Sequence, residues 1–248
     1  MGTIYILWLR QLKRYSRSKS RMIGSLGQPL LFLFALGYGL GPVFEKAGQG
    51  SYIQFMAPGV IAMSILFTAV FSGIEIIWDR QFGFLKETLV APVSRVNIMI
   101  GRTLGGATVA LAQGCIIFVI TLIAGFRPEH YEMIPMMLIF MALIAILFTA
   151  LGTSIACVLE DMQAFPLIMN FLVMPLFFLS GALFPLQNLP GPIAIITRLD
   201  PLSYGVDGLR GALIGVTQFG FGTDAAILVA VSGVLLAIGS WLFSRIQV

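Results

Sequence analysis

Glu75 and Asp79 stand one helical turn apart, directly after an uncharged run at residues 47–74. An acid within or beside such a run is a candidate proton carrier. Glu75 is only a turn from water, so solvation or an ion pair is favoured over a proton relay, since the large penalty falls on central positions. His130, the single histidine, lies near Glu129 and Glu132. A metal site needs more partners than that, and a solvated loop histidine is expected. Cys115 and Cys157 both fall in apolar runs, where a free thiol behaves as a small hydrophobe. Two such thiols give neither a disulfide framework nor metal-ligand spacing. No cluster of His, Asp, Glu or Cys at helical spacing is present, so an enzyme embedded in a membrane is not indicated. No Gly-Lys pair occurs either, which removes the G-x-x-x-x-G-K-[ST] loop that cradles nucleotide phosphates.

These few polar residues are set in a very apolar chain. Hydrophobic residues make up 58% of the 248 and charged residues 10%, against roughly 25% charged in soluble domains. Mean hydropathy is +0.96. Uncharged windows at 22–44, 47–74, 103–126, 133–159, 162–197 and 225–244 are each long enough for a helix of about 20 residues to cross a bilayer. They are continuously apolar, which excludes the alternating segments of a β-barrel. The expected fold is an all-α polytopic membrane protein with six transmembrane helices, forming one transmembrane domain over residues 1–248. Six spans place both termini on one side. That side carries eleven of the fifteen basic residues, so both termini and residues 79–95 are expected to face the cytoplasm. The net charge of +4 then reflects topology and gives no nucleic-acid signal. The first apolar run is longer than the core of a secretory signal, so cleavage is not expected.

Residues 1–21 carry six cations and no acid. Ile4, Leu7, Trp8, Leu12 and Tyr15 recur near helical spacing, with Arg10, Lys13, Arg14 and Arg17 opposite. This predicts an amphipathic helix at the membrane interface, its cations toward headgroups and cytoplasm. The first span is expected over Met22 to Leu40, closed by Gly37, Gly39, Gly41 and Pro42. The next three follow over Gln54–Trp78, Asn97–Gly125 and Met133–Leu159. A fifth begins near Phe165 and a sixth covers Ala225–Phe243. The fifth window is too long for one helix and holds Pro185, Pro190 and Pro192, which interrupt a straight one. Short helices that dip into the outer leaflet and return are expected over residues 183–210. Gly37/Gly41, Gly101/Gly105 and Gly211/Gly215 have the spacing that lets helices approach closely.

Residues 79–95, DRQFGFLKETLVAPVSR, place five charges between two greasy runs. Drawn as a helix, Phe82, Leu85 and Leu89 share one face, Arg80, Gly83 and Glu87 another, and Pro92 ends it. A short amphipathic helix with a mixed-charge face suits docking on a soluble partner.

The run Glu87-Thr88-Leu89-x-Ala91-Pro92-Val93-Ser94-Arg95, followed by Gly101-Arg102-x-Leu104-Gly105, resembles the cytoplasmic loop of type-2 ATP-binding-cassette exporter permeases. Arg102 stands where Lys is usual, which keeps the charge. A second resemblance lies at Leu183-Phe184-Pro185, Leu189-Pro190 and Asp200-Pro201-Leu202-Ser203-Tyr204-x-x-Asp207-x-x-Arg210-Gly211, where relatives often carry Asn and Thr in place of Asp200 and Ser203. The likeness covers nearly the whole chain and is strongest to the branch exporting drugs, antibiotics and nodulation signals.

That resemblance implies a permease subunit in the cytoplasmic (inner) membrane, paired with a second copy of itself, surrounded by lipid and docked from the cytoplasm by an ATP-binding-cassette subunit. ATP and Mg would sit on that partner, with no cofactor bound by this chain. Residues 79–95 would be the coupling helix, with Arg80, Phe82, Gly83, Phe84, Leu85, Lys86 and Glu87 as the docking surface. The cargo path would be lined by the second and fifth spans. Phe67, Phe71, Phe171, Met174 and Phe178 there would suit an apolar or amphipathic cargo, moved out of the cytoplasm or inner leaflet. Leu183, Pro185, Asp207 and Arg210 would belong to an external gate. The alternatives are an ion-coupled secondary transporter, for which only Glu75 offers an ionisable group near a span, and an assembly subunit without cargo.

Overall fold

The computed structural model describes residues 2–46, 50–85, 93–185 and 190–245. Among the described residues every regular element is helical: α1 (Thr3–Arg17), α2 (Lys19–Lys46), α3 (Tyr52–Phe71), α4 (Ile74–Gln81), α5 (Arg95–Ile123), α6 (Ile134–Val158), α7 (Ala164–Leu179), α8 (Gly191–Leu199), α9 (Pro201–Ile214) and α10 (Phe221–Ser244). A 3-10 turn at Tyr131–Met133 leads into α6. Among the described residues, five stretches are long and apolar enough to cross a membrane: Met22–Lys46, Tyr52–Gln81, Arg95–Ile123, Tyr131–Val158 and Phe221–Ser244. The helix expected as the fifth span, α7, is apolar but has only 16 residues. At 1.5 Å per residue it covers about 24 Å, short of the roughly 30 Å hydrocarbon core.

Two boundaries differ from expectation. Pro42 does not close α2, which runs through it to Lys46. A proline removes one ladder bond, but a helix survives that loss when its neighbours hold it. Phe44, beyond the proline, packs on Tyr52 and Phe55 with ring centroids 5.0 and 5.6 Å away. The second run is divided at Ser72–Gly73 into α3 and α4. A Cβ on Gly73 would collide with the Gly152 carbonyl oxygen, and one on Gly152 with that of Val70. Backbone therefore meets backbone where α6 crosses the α3–α4 junction, an approach that only glycine permits.

The core runs through α3, α6 and α9, with Val60, Ile61, Leu66, Ile144, Phe148 and Val206 all fully buried. α3 is encased, whereas α2 and α10 lie at the rim, with few of their residues buried. α1 is seated on the glycine pair of α5: a Cβ on Gly101 would touch Leu7, and one on Gly105 would lie 2.6 Å from Gln11 Cβ. Farther along, Trp8 Nε1 donates to Thr108 Oγ1 at 3.0 Å and the Tyr15 hydroxyl donates to Gln113 Oε1 at 2.6 Å. The contacts advance together along both chains, so α1 follows α5 lengthwise. The N-terminal amphipathic helix expected at the interface is thus present as a helix and packs along α5.

Candidate functional site

At the end of the bundle where α1 lies, the two acids after the uncharged run become an ion-pair hub. Asp79 is buried and shared: Arg102 Nη2 donates to Oδ2 at 2.6 Å and Arg10 Nη2 to Oδ1 at 2.9 Å, with Arg14 Nη1 3.5 Å from Oδ1. Arg14 also lies 3.6 Å from Glu75 Oε2 and over the Trp78 ring at 5.2 Å. Glu75 is thus an ion-pair partner, as its place a turn from water suggested. Two cations of α1, Arg10 and Arg14, are paired with the acids of α4. Burying charges is costly unless they are paired, and here the pairing fixes α1, α4 and α5 to one another.

The short segment after α4 presents aromatics beside α1. Gly83, at φ +79°, breaks the helix expected across 79–95, and Phe82 and Phe84 then project outward, 69% and 52% exposed. Tyr5, Ile6 and Leu9 of α1 face them across a groove of about 580 Å³, with Lys13 and Arg17 on its rim. Two residues expected on the docking surface make contacts within the bundle. Leu85 is fully buried in the core, because the turn at Gly83 rotates it inward. Arg80 reaches the end of α6, where Nη2 donates to the Cys157 carbonyl at 2.9 Å and Nη1 to the Leu159 carbonyl at 3.4 Å. It caps that helix, whose last carbonyls favour a cation. Lys86 and Glu87 lie outside the described residues.

The five proposed path residues fall into two groups. Phe67 and Phe71 stack at 6.4 Å on α3 and line a cleft against the start of α2. Phe171 and Phe178 lie on the open side of α7 with Met174 half-buried nearby, while Phe165, Met169, Val173 and Phe177 form its buried ridge. Phe165 meets Phe71 edge-on at 6.2 Å and joins the groups. Asn170, one residue before Phe171, is exposed at the middle of α7. It was not singled out in the sequence, although an isolated amide in an apolar helix was the available signal.

At the opposite end, the chain after α7 folds back onto α3. A Cβ on Gly59 would lie 2.3 Å from the Ala182 carbonyl oxygen, so this irregular backbone is pressed against the helix. Its polar groups are met by the protein: Arg210 Nη2 donates to the Gly181 carbonyl at 2.9 Å and the Tyr52 hydroxyl to that of Leu183 at 3.1 Å. Leu183 is buried, while Pro185, Asp207 and Arg210 share a cavity of about 400 Å³. Asp207 accepts the amides of Gln218 and Phe219 and so holds the α9–α10 turn. Arg210 also lies 4.3 Å over the Phe55 ring. Burial lowers its guanidinium to about 10, with Asp207 opposing. Of the four residues named for this end, Pro185, Asp207 and Arg210 are brought together around one cavity, and Leu183 is buried outside its lining. His130, with Nδ1 3.1 Å from Glu132 Oε1, is half-exposed.

Comparison with known proteins places this arrangement. The family described as ABC-2 type transporter matches residues 3–214. Nodulation protein J of Rhizobium leguminosarum bv. trifolii is 29% identical over 213 residues, covering 85% of this chain and 78% of that protein. The ycf38 protein of Pyropia yezoensis is 30% identical over 201 residues, covering 78% and 68% respectively. The match spans α1, the ion-pair hub, the exposed aromatics and the folded-back segment together, and the chain belongs to the ABC-2 type transporter family as a multi-pass membrane permease subunit.

Proposed function

We propose that the chain is the membrane half of an ATP-driven exporter in the inner membrane, working as a pair of copies with the α1 end in the cytoplasm. Each copy docks one ATP-binding subunit, which carries the ATP and Mg, and moves an apolar or amphipathic cargo outward. One observation carries this reading: Phe82 and Phe84 stand exposed beside a cation-rimmed groove at the basic end, on a turn bound through Asp79 to both α1 and α5. Exposed aromatics cost free energy in water and serve as anchors when a partner covers them. Closure of an ATPase pair would push on this turn. The Asp79 hub would pass the push to α5 and α1, and α4 would carry it across the Ser72–Gly73 junction to α3 and the cargo path. The six-span topology, with α7 and the folded-back segment as the fifth crossing and external gate, belongs to the same proposal.

The test is co-purification from membranes with the ATP-binding subunit of the same host. Phe82→Asp with Phe84→Asp is expected to abolish co-purification while the chain remains inserted. Arg80→Met, which removes the α6 cap and an ion pair with the exposed Glu160, is expected to retain it. A doubly substituted chain that still holds its ATP-binding subunit would remove the coupling role from this turn.

A further inference from the structure

We propose that the cleft between α2 and α3 binds the uncharged polar head of an amphiphile drawn from the leaflet at the α1 end. This rests on the export reading for its orientation and names the chemistry of the cargo or lipid that enters there. The cleft holds about 370 Å³ and is formed by the end of α1, the first turns of α2 and the last turn of α3. Its polar lining consists of Tyr15, Ser25, Gln28 and Thr68, and among the described side chains no charged one contributes.

Three features point to a ligand. The Gln28 amide and the Thr68 hydroxyl have no hydrogen-bond partner among the described residues, so a donor, an acceptor and a hydroxyl are free to meet a guest. Pro29, also in the lining, brings no amide to the carbonyl of Ser25 four residues earlier, and a proline in a helix leaves that acceptor without its ladder bond. The Phe67 and Phe71 rings lie nearly parallel, 9° apart, beside these groups. Their faces carry negative quadrupole density, which suits the C–H edge of a saturated ring.

Charge decides the class of head. The nearby groove takes Arg10, Lys13, Arg14 and Arg17 into its lining, whereas the cleft takes none among the described side chains. A phosphate or carboxylate moved from water into the cleft would lose hydration without gaining a counter-cation. A hydroxyl- or amide-rich head would satisfy the free groups at no such cost. α2 forms the outer wall and is among the least buried of the spanning helices, so entry from the side displaces few contacts.

The experiment uses the full chain with its ATP-binding subunit in nanodiscs, and two diazirine probes of equal chain length, an alkyl glucoside and an alkyl phosphate. The glucoside is expected to label residues 24–29 and 67–71 roughly tenfold more than the phosphate. Gln28→Leu with Thr68→Val is expected to cut that labelling by a similar, roughly tenfold factor, the loss of two hydrogen bonds. Equal labelling by the phosphate, labelling confined to other segments, or labelling unchanged by the double substitution would each overturn the proposal. Stimulation of ATP hydrolysis by the glucoside, lost in the double variant, would identify the guest as cargo. Labelling without stimulation would identify a resident neutral lipid at the same site. Failure of the ATP-binding subunit to co-purify would defeat the export reading alone, since the labelling contrast is read on this chain.

Discussion

Arg102 donates to Asp79 at 2.6 Å with both side chains buried. Asp79 lies at the end of α4 and Arg102 in the second turn of α5, so the pair ties the two limbs that flank residues 82–94. The second oxygen of Asp79 holds Arg10 of α1 at 2.9 Å. A load on the turn between α4 and α5 therefore reaches three elements through one carboxylate.

Asp79→Asn leaves the Arg102 guanidinium buried without its anion, which typically costs roughly 3–5 kcal/mol. Arg10 is 41% exposed, and Arg10→Met removes a solvent-screened partner worth about 1 kcal/mol or less. Thermal unfolding of the purified chain in detergent is expected to show a large fall for the first change and a small one for the second. Equal effects would mean that the hub is not held by its buried half.

The glycine pair under α1 gives a separate handle on the same end. A side chain at position 105 would meet Gln11 Cβ at 2.6 Å and Trp8 at 3.5 Å. Gly105→Leu is expected to lift α1 off α5, exposing it to protease and weakening co-purification of the ATP-binding subunit, while the spans still insert. Protection of α1 unchanged from the parent would show that α1 is held by its arginines alone.

Much of the bundle is visible in hydropathy, because apolar runs and the spacing of charges carry it directly. The N-terminal helix is legible for the same reason, through the period of Ile4, Leu7, Trp8 and Tyr15. Its seat on Gly101 and Gly105 is less so, since small-xxx-small pairs are frequent in a chain with 27 glycines. The division of α3 from α4 depends on Gly73 meeting Gly152 of a distant helix, which no local pattern encodes. Arg80 and Leu85 read as surface residues on an ideal helix. Arg80, still within α4, is drawn to the carbonyls at the end of α6, a tertiary contact no local pattern encodes, whereas Leu85 turns inward because Gly83 takes a left-handed conformation, which rotates the residues after it off an ideal helical wheel.

Asp200 caps α9 by accepting the Leu202 amide at 2.9 Å, and it is buried. Desolvation pushes its carboxyl up to about 7, against the opposing pull of that amide. In the unfolded chain an aspartate titrates near 3.9. Between about 4 and 7 the folded chain therefore holds a proton that the unfolded chain has lost, and stability falls as pH rises through that window. The loss is on the order of a few kcal/mol. Asp200→Asn keeps the capping oxygen and removes the ionisation. Unfolding temperatures at pH 5 and pH 8 are expected to differ less in the variant than in the parent, and an unchanged difference would place the titrating group elsewhere.

Asn170 lies exposed at the centre of α7 between Met169, which is buried, and Phe171, which is 83% exposed. Its amide has no hydrogen-bond partner among the described residues. A bare amide facing hydrocarbon is unfavourable, and polar groups at membrane depth turn toward a cavity or another helix. This side of α7 is therefore expected to face the cargo path or the second copy, and not lipid. Asn170→Leu is expected to lower cargo-stimulated ATP hydrolysis of the reconstituted complex by up to about tenfold, the worth of one hydrogen bond of roughly 0.5–1.5 kcal/mol. Asn170→Gln, which keeps the amide, is expected to restore most of it, and co-purification of the ATP-binding subunit should be unaffected by either change. A leucine variant that is fully active and unfolds at a higher temperature would instead put this face of α7 against the lipid.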